Sequence, residues 1–374
     1  TLAAASASPE GKRKYFGISL VLLALSGAAL TALIFLVSPP VLRIFGAEGE
    51  TLALAEEYMR FIALGSLFQV LGTGLTPFIR NMGGTVTAMS AMIAGFVTNI
   101  VLDYLFVWVL PWGMTGAAVA TVIGQAATFC VCLGYLVVKK QKPDFRFGGR
   151  AFRFAGKTLL LGLSPFGLAF SPNFMLIFVN FSASAVGGQF ALNCFAPVSY
   201  AISVVLLLLQ GVSDGCQPLV SREFGSGSAR GARSVRNLAF AFALVVAAVC
   251  MAVMFAVRRD ISKVFGASDE VAAEVGNILP LFIAGFLFVG FSRIATAYFY
   301  ATGNTWRAYI VIYGEPLCLL VLLLILPNFM GITGTWLSVP LSQASLAVVA
   351  FLLVFLYDRG QRKREKNIST AEKA

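Results

Sequence analysis

The chain has 374 residues, of which 58% are hydrophobic and 12% charged. That charged fraction is about half that of an ordinary soluble domain, too little to clothe a water-facing surface of this size. The formal net charge of +11 would suit a nucleic-acid partner, but the basic residues sit in short segments between apolar blocks, as in a membrane protein.

A polar and basic start over 1–15 leads into ten apolar blocks, at about 16–38, 52–79, 85–109, 114–138, 157–184, 190–221, 235–257, 276–301, 306–326 and 333–357. Each is long enough to cross a hydrocarbon core of about 30 Å. Lipid offers the backbone no hydrogen bonds, and the blocks lack the alternation of barrel strands, so each is expected to be a helix. The fold class is therefore an all-α polytopic membrane protein. If 1–15 is cytoplasmic and the helices alternate, cytoplasmic segments hold 22 of the 28 Lys and Arg residues. They include the run from Lys139 to Lys157, then Arg222, Arg230, Arg233 and Arg236, and the tail from Arg359 to Lys373. The opposite side holds Arg43, Arg258, Arg259 and Lys263. This bias puts both ends of the chain in the cytoplasm and leaves no basic face for nucleic acid. The six cysteines all fall inside blocks and read as small apolar fillers, neither zinc ligands nor disulfides.

The chain also repeats itself. At an offset of 220, Phe45-Gly46-Ala47 falls on Phe265-Gly266-Ala267, Gly65 on Gly285, Gly83 on Gly303, Thr85 on Thr305 and Ala88 on Ala308. After a two-residue slip, Gly113-Met114-Thr115-Gly116 matches Gly331-Ile332-Thr333-Gly334, and Gln125 matches Gln343. Blocks one to four thus match seven to ten, while 157–221 has no counterpart. A complete six-plus-six molecule is expected, with two further helices upstream of Thr1. Even-numbered halves insert the same way up, which implies a pseudo-two-fold axis along the membrane normal and a cavity between lobes. The expected organisation is an N-terminal lobe over 1–138, a basic linker over 139–156, a C-terminal lobe over 157–357 and a basic tail over 358–374.

Enzymatic motifs fail on context. Gly211-Val212-Ser213-Asp214-Gly215 fits a nucleophile elbow, but it ends an apolar block and the chain has no histidine. Gly225-Ser226-Gly227 lacks the strand that a dinucleotide fingerprint needs. The chemistry that remains is a few ionisable groups at membrane depth, where each is expensive and hence a functional candidate. Asp103 follows Asn99 by one helical turn, and Thr121 returns to the same depth on the next, antiparallel helix. A carboxylate, an amide oxygen and a hydroxyl are hard ligands suited to a small cation, so Asn99, Asp103 and Thr121 form the candidate coupling site. Glu315, beside Pro316, together with Asp214 and Arg293, is assigned to the substrate cavity or its gate. Arg80 and Arg222 read as interfacial. Pro165, Pro172, Pro197, Pro218 and Pro340 are candidate bends.

The run Asn99-Ile100-Val101-Leu102-Asp103, the stretch Gly113 to Thr121 with Gln125, Gly215-Cys216-Gln217-Pro218-Leu219-Val220-Ser221, and Phe299-Tyr300-Ala301-Thr302-Gly303 resemble the multidrug and toxic compound extrusion family. The resemblance runs from the end of that family's second helix to its twelfth. It implies an antiporter that admits Na⁺ or H⁺ and exports organic, often cationic, drugs by alternating access. It implies residence in a plasma (inner) membrane of bacterial type, a monomer, no cofactor, and no metal beyond a possible Na⁺ at Asp103. The family's first two helices are absent, and with them an aspartate of its cation site. The acidic residue that some branches carry in the seventh family helix is missing from 157–184, which favours coupling in the N-terminal lobe. The alternatives are a lipid-linked saccharide flippase of the same superfamily, or an inactive transporter fragment. No ATP-binding motif occurs, so an ion gradient would supply the energy.

Overall fold

A computed structural model describes residues 9–44, 49–141, 143–146 and 151–371; Phe45-Gly46-Ala47 of the repeat and the middle of the linker lie outside them. Among the described residues every regular element is helical: α1 (Pro9–Ile44), α2 (Gly49–Asn81), α3 (Thr85–Asp103), a π-helical segment (Tyr104–Val109), α4 (Gly113–Val138), α5 (Ala151–Gly225), α6 (Ala229–Ala256), a 3-10 turn (Ile261–Phe265), α7 (Asp269–Ile283), α8 (Phe286–Ala301), α9 (Thr305–Met330) and α10 (Ile332–Ala371). Among the described residues, eight helices are long and apolar enough to cross a membrane, or nine if the bent pair α7–α8 is one span. The difference from the ten apolar blocks lies in α5, a 75-residue run in which two helices meet at Gly188. Its φ of 62° and ψ of −155° suit glycine alone. The break thus falls in the gap between the blocks 157–184 and 190–221, and on a glycine, not on one of the candidate prolines of this run.

The chain divides into two compact units, Leu2–Thr158 and Leu159–Ala374. In the first, α2 packs against α1 and α4, and α3 against α4. Its interior is small, built on Phe16, Leu75, Ile79, Ala91 and Cys132. Large apolar side chains instead cover the outside; Trp108 is 80% exposed and Val138 78%. That distribution suits a lipid solvent, in which helices associate by close packing of small residues. Gly124 shows this: a Cβ there would lie 2.8 Å from the Gly95 carbonyl oxygen and 2.9 Å from the Asn99 Cβ. In the second unit α8 is almost wholly buried, with Phe286, Ile294, Tyr298 and Phe299 in a core that also takes Phe282 and Leu319.

The sequence offsets coincide with matched backbone features. Gly84 N–H donates to the Ile79 carbonyl at 2.9 Å and Gly83 N–H to Arg80 at 3.0 Å; Asn304 N–H donates to Phe299 at 2.7 Å and Gly303 N–H to Tyr300 at 3.2 Å. Gly83 and Gly303 hold φ of 87° and 78°. Both turns are thus the same glycine-dependent helix stop. A Cβ on Gly116 would meet the Phe106 carbonyl oxygen at 2.9 Å, and one on Gly334 would meet that of Leu326 at 2.4 Å. The offset is still 220 at Phe106 and Leu326 but 218 at Gly113 and Gly331, so the slip falls between these positions. The π-helical segment lies across that point, with Leu110 N–H donating to Leu105 at 2.9 Å. A wider turn accommodates extra residues without breaking the helix.

Candidate functional site

In the first unit, the close approach of α3 and α4 at Gly95 and Gly124 brings polar groups of the two helices together. Asn99 Nδ2 donates to Thr121 Oγ1 at 3.4 Å, and Thr121 Oγ1 donates to the Ala117 carbonyl at 2.9 Å. Asn99 makes no bond to Asp103; its amide is turned across the helix pair. Asp103 ends α3 where the π-helical segment begins. One of its carboxylate oxygens, Oδ1, is buried without a hydrogen-bond partner. A buried, unsatisfied carboxylate oxygen is costly unless something cationic or a proton meets it. So Asn99 and Thr121 are joined directly, and Asp103 stands one turn beyond Asn99 with an open acceptor.

In the second unit, α8 and the two parts of α5 meet at Arg293. This residue of α8 is buried, 8% exposed. Its Nη1 donates to the Leu168 carbonyl at 3.1 Å, before the Gly188 kink, and to Gln210 Oε1 at 3.2 Å, after it. Gln210 Nε2 in turn donates to Asp214 Oδ1 at 2.8 Å. Asp214 and Glu315 are the acidic groups within Coulombic range of the guanidinium. Glu315, on α9, is half-buried. Of the three residues assigned to the cavity from sequence, Arg293 and Asp214 are therefore joined through Gln210, a link that sequence reading missed, while Glu315 acts on Arg293 through its charge alone. The only signal for Gln210 was its place one turn before Asp214 in an apolar run.

The stretch Gly211 to Gly215 is helical, and Ser213 Oγ donates to the Arg293 carbonyl at 3.2 Å; it forms no strand-turn-helix elbow. Two glutamines at matched positions were also missed as structural elements. Gln125 Oε1 lies 2.7 Å from where a Cβ on Gly65 would stand, and Gln343 Oε1 1.8 Å from one on Gly285. Both oxygens are buried without a hydrogen-bond partner. Gly285 lies at the 41° bend between α7 and α8, whereas α2 runs unbroken past Gly65.

A family model described as MatE matches residues 3–105 and 168–322. The multidrug export protein MepA of Staphylococcus aureus (strain bovine RF122 / ET3-1) is 25% identical over 348 residues, spanning 88% of this chain and 74% of that protein. MepA of Staphylococcus saprophyticus is 24% identical over 323 residues, spanning 84% and 70%. Among solved structures, an outward-facing multidrug resistance MATE family transporter of the MOP superfamily superposes with a TM-score of 0.87 at 21% identity, covering 95% of this chain and 80% of that one. A MOP superfamily transporter from Pyrococcus furiosus, described by the reverse polarity of its binding pocket, gives 0.84 at 21% identity, covering 93% and 79%.

Proposed function

Because this chain belongs to the MatE family of membrane transporters, we propose that it exports organic, often cationic, small molecules and drives that export by admitting Na⁺ or H⁺ through alternating access. The observation that carries the coupling half of this reading is the buried, unpartnered Asp103 Oδ1 beside the Asn99–Thr121 pair. A carboxylate, an amide oxygen and a hydroxyl on two adjacent helices offer a small cation hard ligands, and a proton alone would neutralise Asp103. The position next to a π-helical segment supports the assignment, since such segments recur at functional sites.

Glu315, Asp214 and Arg293 are proposed to face the substrate. The lobes are proposed to be the halves of a duplicated unit, with the linker and tail placed as the sequence suggests. The division at Thr158 and Leu159 and the matched turns near Gly83 and Gly303 support that organisation. Relatives named for multidrug export support the substrate class. The test is Asp103→Asn in proteoliposomes with an imposed Na⁺ or H⁺ gradient. Gradient-driven efflux should fall to background while equilibrium binding of the exported dye persists. A mutant that still pumps uphill removes Asp103 from the coupling step.

A further inference from the structure

One exposed face of the second unit is grooved. The walls are α6 and α10 and the floor is α8, with Phe240 and Leu244, Ala347 and Phe351, and Phe288 and Phe291 along it. The cavity measures about 460 Å³, within the range of small-molecule sites. Its floor is firm, since Phe240 and Phe291 stack with ring centroids 4.5 Å apart and Phe351 lies 6.2 Å from Phe291. Every lining residue is apolar, which suits a hydrocarbon chain; a polar guest would find no group to orient it. Packing of such helices does not demand the space. At the offset of 218, Ala347 falls on Phe129, whose ring packs 6.0 Å from that of Phe68, the match of Phe288. The first copy thus holds a ring where the second leaves room.

Positive charge lies three turns away. Arg230 precedes the lining residue Ala241 by eleven residues on α6, and Arg362 follows Phe351 by eleven on α10. Eleven residues are almost three whole turns, so each arginine stands on the groove side of its helix, about 16 Å along it. That is close to half of a hydrocarbon core of about 30 Å, the depth of one leaflet. Both arginines are exposed at the ends of their membrane spans, and exposed Arg359 lies one turn inside Arg362. Of the acidic groups at this end, Asp358 is held by Arg236 and the Glu223 carboxylate lies against Gly231, so the three arginines keep a positive surplus. Arginines at span ends are ordinary in themselves; an apolar groove one leaflet deep above them is not.

We propose that the groove is a binding site for an anionic phospholipid of the adjoining leaflet, with one acyl chain lying along α8 and the headgroup phosphate on Arg230, Arg359 and Arg362. The chain is recognised by the apolar walls, and the headgroup by guanidinium groups that match phosphate oxygens.

Native mass spectrometry of the purified full chain counts bound lipids directly. Phosphatidylglycerol should bind more tightly than phosphatidylcholine of the same chains, by about fivefold for each arginine engaged. Arg359→Gln with Arg362→Gln should remove most of that preference. Ala347→Phe, which copies the ring of the first unit, should lower the number of tightly held lipids by one with either headgroup. Equal affinities for the two lipids in the wild type, a preference untouched by the arginine changes, or a lipid count unchanged by Ala347→Phe overturns the proposal. If Ala347→Phe fails to fold, the exposed arginine pair still decides it. Ethidium binding that Ala347→Phe abolishes while the lipid count holds would make the groove a drug site and overturn it as well.

Discussion

At the scale of single residues, the polar trio of the first unit stands out against its matches in the second. By the offsets of the repeat, Asn99, Asp103 and Thr121 correspond to Leu319, Leu323 and Val339, all buried. An apolar set fills those positions, so the amide, carboxylate and hydroxyl are not demanded by the packing of a helix pair. Thr121→Val keeps the shape and removes one oxygen. The cation concentration for half-maximal efflux should then rise about tenfold, as for loss of a polar group around a bound ion, with dye binding unchanged; an unaltered cation dependence would exclude Thr121 from the site. The spacing of Asn99 and Asp103 was legible because a helix puts residues four apart on one face. The Gln210–Arg293 bond was not, since it joins residues 83 apart and depends on how three helices pack.

Among elements, the best-defined tie in the second unit joins α6, α8 and α10. Arg236 forms a two-pronged ion pair with Asp358 at 2.8 and 2.9 Å, and its guanidinium lies 4.6 Å from the Tyr298 ring. At the offset of 220, Arg236 and Tyr298 fall on Phe16 and Phe78, whose rings pack 5.4 Å apart. Removing one partner of a buried pair strands the other charge. Asp358→Leu alone should therefore cost about 3–5 kcal/mol, and adding Arg236→Phe should restore most of it. Thermal unfolding in detergent reads both; a double variant no better than the single would mean the pair itself is needed. Packing sterics give a second test. Gly95→Val would drive side-chain atoms into Thr128 Oγ1, which lies 2.0 Å from even the Cβ position, and should destabilise the first unit by about 1–3 kcal/mol. Hydropathy read the apolar blocks well, because each must span lipid. It also separated the two blocks that meet at Gly188, but it could not read the backbone conformation there, or the π-helical segment, whose trace was the slip between repeats.

For the whole molecule, a multi-pass transporter, the orientation proposed from the basic residues is open to a direct test. Single cysteines placed at Gly49 or Ser268 should react with an impermeant maleimide applied outside intact cells. Those at Gln141 or Gly227 should react only after permeabilisation. The reverse pattern would invert the topology. Charge counting could suggest this orientation because Lys and Arg gather on one side. It could not reveal what each unit does with the few charges it buries, which depends on neighbours from distant parts of the chain.

The matched stops at Gly83 and Gly303 bear on how such a chain can change over time. If both descend from one ancestral segment, the parts kept alike are the backbone turns and the glycine pairs Gly65 with Gly285 and Gly116 with Gly334, while side-chain polarity diverged around them, Gly95 facing Glu315 in the alignment of the copies. Inheritance then acted on a scaffold and its fittings separately: Asp103 in one copy, Arg293 and Glu315 in the other. An engineer could use the same division, exchanging the Asn99, Asp103 and Thr121 set with its matches in the other copy while leaving the paired glycines in place.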